Sequence, residues 1–155
     1  MPTAPRVVLT WRSLHLADSA VRKLLDTRLQ GEAGCSLLDH DLLAWLAAAP
    51  QQRLQMFDLA GLLGVTRGGL TRIVDRLVER GWVVRDRPAS NRREVHAVVT
   101  SDGQRAIAQA REIYVSVLQQ TLGTHLDRTE LDELDRIAGK LLNALTNQDP
   151  QRHHR

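Results

Sequence analysis

One cysteine, Cys35, stands in 155 residues. A single thiol can neither close an intrachain disulfide nor build a thiolate metal cluster. Nothing basic flanks Cys35 to lower its pKa, so a small buried or idle thiol is expected rather than a redox sensor. Aromatic residues make up 3 per cent, which does not suggest a stacking platform for single-stranded nucleic acid. Ten glycines and five prolines are too few for a fibrous or low-complexity chain. No apolar run approaches the roughly 20 residues that span a bilayer. The opening Met-Pro-Thr-Ala-Pro-Arg leads into a charged segment without a signal-peptide core, so a cytoplasmic protein is expected. His15, His40, His96, His125, His153 and His154 show no tight metal spacing beyond the terminal pair, so neither metal nor cofactor is expected. Nucleophile–base–orienter sets, phosphate-cradling glycine loops and paired-carboxylate motifs are missing too, which argues against an enzyme.

What is present is apolar content and localised charge. Apolar residues reach 43 per cent, enough for one core, or for a core shared between two subunits. The net charge is only +3, yet residues 66–96 hold eight arginines (Arg67, Arg72, Arg76, Arg80, Arg85, Arg87, Arg92, Arg93) against four acids (Asp75, Glu79, Asp86, Glu94). That excess of four leaves −1 for the remainder. A phosphate-contacting surface requires positive charge concentrated in this way.

Residues 6 to about 30 repeat Leu9, Leu14, Leu16, Val21, Leu24, Leu25 and Leu29 at steps of three and four, predicting a helix closed by Gly31 and Gly34. Asp39 is the expected cap of a second helix over 40–49, stopped by Pro50, with 51–55 a polar link. A third helix from Phe57 and Asp58 ends at Gly64, a residue free to take the left-handed turn between helices. Thr66 caps a fourth helix reaching about Arg80, and Gly81 stops it. Residues 82–87 and 94–99 read as one hairpin around a polar loop at 88–93. Thr100 or Ser101 caps a fifth helix of roughly 24 residues, ~36 Å long. After a break at 126–130, a sixth helix carries Leu131, Leu134, Ile137, Ala138, Leu141, Leu142 and Leu145. The tail, 148–155, is expected to be flexible.

The fold class so predicted is mainly α with a small β-hairpin wing. A winged helix-turn-helix over 36–100 is flanked by a helical dimerisation region, 6–35 and 101–147, within one structural domain. The apolar stripes of the first, fifth and sixth helices exceed what the central unit can cover. They are expected to pack against a second copy as a two-fold homodimer.

The fourth helix sorts into two faces. Leu70, Ile73, Val74, Leu77 and Val78 form the inward stripe. Arg67, Gly68, Thr71, Arg72, Asp75, Arg76 and Glu79 fall on the other side. A recognition helix presents its N-terminal residues to base edges, where arginine bonds guanine bidentately and threonine bonds a base or meets a thymine methyl. Gly68 and Gly69 cost about 1 kcal/mol each relative to alanine inside a helix. Either they permit a close approach, or they lie in a frayed first turn. Arg92 and Arg93 stand near the tip of the hairpin loop, suited to a narrow, electronegative minor groove. The expected DNA contacts are Thr66, Arg67, Gly68, Thr71, Arg72, Arg76, Arg92 and Arg93.

Leu59-Ala-x-x-Leu-Gly-Val-Thr-Arg-Gly-Gly-Leu-Thr-Arg-Ile-Val-Asp-Arg-Leu-x-x-x-Gly, then Arg85-Asp-Arg-Pro-x-x-Asn-Arg-Arg and Val99-Thr-x-x-Gly103, resembles the MarR (multiple antibiotic resistance regulator) family. The resemblance extends over nearly the whole chain. It implies a homodimeric transcriptional regulator, typically a repressor, on a pseudo-palindromic operator, with recognition helices ~34–36 Å apart. It implies that Asp75 braces the wing through Arg93, leaving Arg92 as the groove probe. Asn91 replaces the family's usual aspartate. The resemblance also implies release by a small aromatic or anionic effector, for which Trp11, Arg12, His15 and Trp45 are candidate walls. Trp11 and Asp58 match a urate-responsive branch, in which asparagine stands where this chain has Arg72. The alternative is a constitutive or architectural DNA-binding module without a ligand.

Overall fold

The computed structural model describes residues 5–89, 91 and 94–146. Arg92, Arg93 and the 148–155 tail lie outside the described residues. The chain divides after Val117 into two compact units.

The first unit contains α1 (Arg6–Ala33), α2 (Leu37–Ala48), β1 (Arg53–Gln55), α3 (Met56–Leu63), α4 (Arg67–Glu79), β2 (Val83–Asp86), β3 (His96–Val99) and α5 (Ser101–Leu118) up to Val117. Gly31 lies inside α1, and the left-handed Gly34 ends it. Only Leu25 and Leu29 of its stripe are buried, whereas Leu9, Trp11, Leu14 and Leu16 are exposed.

The cap of α2 differs from the expected one. Ser36 is the N-cap, and Asp39 lies three residues further in. The Asp39 amide donates to Ser36 Oγ (3.1 Å), and the Ser36 amide donates to the Asp39 carboxylate (2.9 Å). This reciprocal box satisfies two amides that a cap at Asp39 would leave open. Asp39 is buried and also accepts from Arg76 of α4, at 3.2 Å from Nε and 2.5 Å from the terminal nitrogen. Arg76 therefore ties α4 to the start of α2. Arg76→Ala is expected to cost about 2 kcal/mol, less than the roughly 3–5 kcal/mol of a fully buried pair, because Arg76 is 43% exposed. A urea midpoint unchanged from wild type would contradict this role.

The expected hairpin is a three-stranded antiparallel sheet, ordered β1-β3-β2. Residues 53–55, read from sequence as a polar link, pair with β3 in the register Arg53–Val98, Leu54–Ala97 and Gln55–His96. Its Arg-Leu-Gln alternation is too short to mark a strand by itself, but the segment covers an edge of β3 that would otherwise leave its backbone groups unpaired. Alternation along β3 sends Ala97 and Val99 into the core beside Val83 of β2. There they meet Leu42, Leu43 and Leu46 of α2, Leu59 and Ala60 of α3, and Leu70, Ile73, Val74 and Leu77 of α4. Four of the five apolar residues assigned to the inner face of α4 are thus buried, and Val78 is half-buried.

Thr100 links the sheet to α5. Its amide donates to the Trp82 carbonyl (3.0 Å), its hydroxyl to the Gly81 carbonyl (2.6 Å), and its oxygen caps α5 by accepting from the Gly103 amide (3.1 Å). Further along α5, the Tyr114 ring stacks on buried His40 of α2, with centroids 4.3 Å apart.

Cys35 is buried at the α1–α2 junction. Burial, reinforced by the Asp39 carboxylate, pushes its thiol up to about 11. A raised thiol pKa favours the folded state below the unfolded value, and that contribution is lost as pH rises from about 9 through 11. With two pKa units of separation, labelling by a thiol reagent at pH 8 is expected to be about 100-fold slower in the native protein than in urea. Equal rates would refute the burial argument.

In the second unit, a π-helical turn (Gln119–Gly123) precedes α6 (Arg128–Thr146). Asp127 and Glu130 form another capping box, each side chain accepting from the other's amide at 2.9 Å. The apolar stripe of α6 includes no buried residue, and Leu141, Leu142 and Leu145 are each at least half exposed. No described helix is long and apolar enough to cross a membrane.

Candidate nucleic-acid interface

Gly64, at φ 64°, reverses the chain between α3 and α4. The short loop ends at Thr66, whose Oγ1 accepts from the Gly69 amide at 3.1 Å. That bond starts α4 and aims its first turn outward. Arg67, Gly68, Thr71, Arg72 and Asp75 are all exposed along one side of the helix. The Thr71 hydroxyl donates back to the Arg67 carbonyl (2.9 Å), leaving its oxygen and methyl available outward.

Both glycines of the pair lie in the first turn of α4. A Cβ on Gly68 would meet nothing within 4 Å, whereas one on Gly69 would stand 3.2 Å from Thr66 Oγ1. Gly68 is therefore not needed for packing inside the chain. Gly69 keeps the cap uncrowded.

Asp75 pairs with Arg85 of β2 at 2.7 Å. The partner suggested by the family resemblance, Arg93, lies outside the described residues. The ion pair joins the middle of α4 to the wing by a residue that the sequence motif contained but no role singled out. At the turn, Asn91 donates to Glu94 (2.7 Å), so its side chain serves the loop itself. Arg76, expected at the DNA, instead directs its guanidinium to Asp39.

A second contact was also missed. The Arg67 guanidinium carbon lies 5.3 Å from the ring centroid of Phe57, the chain's only phenylalanine. Phe57 is 63% exposed although its neighbours Leu59 and Ala60 are core residues. A lone aromatic one step off an apolar stripe was the available signal.

Trp11, 66% exposed, stacks with His15 at 6.3 Å between centroids, and Trp45 is 45% exposed. Asp58 lines a cavity of about 500 Å³ that includes none of Trp11, Arg12, His15 or Trp45. A cavity of about 610 Å³ instead opens beside the outward face of α4, between Met56, Phe57, Leu70, Arg67 and Arg85. Among the described residues, no group of three His, Cys, Asp or Glu side chains could hold a metal ion.

A turn-linked helix pair, a braced wing and an outward basic helix face define a winged helix-turn-helix protein. Residues 33–94 match the sequence model of the MarR family. The transcriptional repressor MprA of Escherichia coli K12 is 29% identical over 141 residues, covering 90% of this chain and 77% of that protein. The structure of Sco3205, a MarR family transcriptional regulator from Streptomyces coelicolor solved in complex with DNA, superposes with a TM-score of 0.83 at 29% identity. That match covers 94% of this chain and 92% of the other. A mutant E. coli MarR bound to operator DNA gives 0.77 at 26% identity, over 88% and 95% of the two chains. The chain is similar to the MarR family of transcriptional regulators.

Proposed function

We propose that this protein is a cytoplasmic, homodimeric repressor that reads a pseudo-palindromic operator with two copies of α4. The observation carrying the reading is the outward N-terminal face of α4, where Arg67, Thr71 and Arg72 stand exposed beside a wing braced by Arg85 and Asp75. Thr66 and Gly68 belong to the same turn, and Gly68 leaves open space in which a phosphate could approach the backbone. Similarity to regulators solved with DNA supports the reading. Arg92 and Arg93 remain wing contacts in this proposal, with Arg92 as the groove probe. Arg76 acts by holding α4 against α2.

Dimerisation is proposed from the uncovered stripes of α1 and α6, including Leu14, Leu16, Leu141, Leu142 and Leu145. Apolar surface of that extent favours association with a second copy. Release by a small aromatic or anionic ligand is supported by the 610 Å³ cavity, whose apolar wall carries Arg67 and Arg85 at its rim. An anion bound there would compete with DNA for Arg67.

Selection from a random duplex pool, combined with sedimentation of the enriched complex, tests this function. An enriched inverted repeat bound by two chains is expected. Failure to enrich any repeat, or a complex containing one chain, would overturn it.

A further inference from the structure

We infer that Phe57 is a positioning residue of the reading face: its ring holds the Arg67 guanidinium in place and thereby sets how strictly Arg67 selects its base. This rests on the proposal that α4 reads DNA.

Phe57 has no packing reason to be aromatic. It is 63% exposed, and Leu59 and Ala60 make the core contacts of α3. Leaving most of a phenylalanine in water forgoes the stabilisation that burying its ring would give. Arg67 has a corresponding need. It occupies the first helical position of α4, where the partial positive charge of the helix end disfavours a cation. A carboxylate partner would relieve this, but it would also neutralise the guanidinium and occupy its donors.

The nearby Asp75 is engaged by Arg85. The phenyl face attracts the cation without accepting its N–H bonds. At 5.3 Å from the centroid, the guanidinium is within the range of that attraction. Its donors stay free for a guanine edge while its long stem loses fewer rotamers on docking. Phenylalanine has only two side-chain torsions, so the support is itself stiff.

The test uses a fluorescein-labelled duplex that the wild-type protein enriches from a random pool, read by anisotropy. Phe57→Ala is expected to weaken binding about fivefold at each half-site, the upper value for an exposed cation–π contact. It should also narrow by a similar factor the preference for this duplex over one altered at the guanine that Arg67→Ala identifies. Phe57→Tyr should restore both, whereas Phe57→Leu, apolar but without a π face, should restore neither. In an Arg67→Ala background, Phe57→Ala should have no further effect.

Wild-type binding by Phe57→Leu, or an undiminished Phe57→Ala effect in the Arg67→Ala background, would overturn the inference. Thermal midpoints of the Phe57 variants should match wild type, and a shared drop would assign the ring a packing role instead. If Arg67→Ala and Arg72→Ala both bind like wild type, the reading of α4 itself falls. If they weaken binding and Phe57→Ala does not, only the role of Phe57 falls.

Discussion

Gly103→Ala is expected to lower the stability of the protein by about 3 kcal/mol, at the upper end for overpacking. A Cβ at this position would overlap the Trp82 carbonyl oxygen and stand 2.7 Å from Val99 Cγ2. Neither neighbour can retreat cheaply. The Trp82 carbonyl accepts from the Thr100 amide, and Val99 is a core residue of β3. The Gly103 amide is also engaged, by the Thr100 hydroxyl that starts α5. Relief would therefore have to move the cap, the strand end or the turn after α4.

At this chain length the loss corresponds to a thermal midpoint about 6–12 °C lower at fixed protein concentration. Circular dichroism melts would measure it. A midpoint within 2 °C of wild type, on a scale of about 2–4 °C per kcal/mol, would show that the close approach is not maintained.

Arg72→Ala is expected to cost about 1–3 kcal/mol at each half-site, the value of a lost bidentate base contact. Because a two-fold complex counts the loss twice, binding should weaken by about 30-fold or more. Gel shifts at constant salt would measure this. The fold should be unaffected, because Arg72 is exposed and the helix keeps its buried stripe through Leu70, Ile73, Val74 and Leu77. A phosphate contact would behave differently: its removal reduces the salt slope by about one and weakens all sequences alike. Loss at the selected duplex with unchanged non-specific binding would identify base reading. Wild-type binding by Arg72→Ala would remove it from the reading surface.

The legible features were those with local causes. Apolar spacing on α4 anticipated Leu70, Ile73, Val74 and Leu77 as core because helical periodicity is a property of the segment alone. Gly64 and Thr66 marked the turn and cap for the same reason. The misplacements had non-local causes. Ser36 replaced Asp39 as cap because the aspartate was needed at once by the Ser36 amide and by Arg76, 37 residues away. Residues 53–55 became a strand because β3 offered an edge. Arg85 and Phe57 acquired partners across separate elements, and no spacing rule links either pair.

By itself, the sequence determined that this protein has helices with one apolar face, a tight turn between two of them, and its positive charge gathered in one segment. Periodicity, capping chemistry and charge are carried by residues near one another in the chain. Tertiary structure alone decided which arginines remain outward. Arg76 and Arg85 are held by carboxylates of other elements, whereas Arg67 and Arg72 stay exposed on α4. An arginine's role depends on which acid or ring the fold brings within a few ångströms of it, and that proximity is not encoded at its own position.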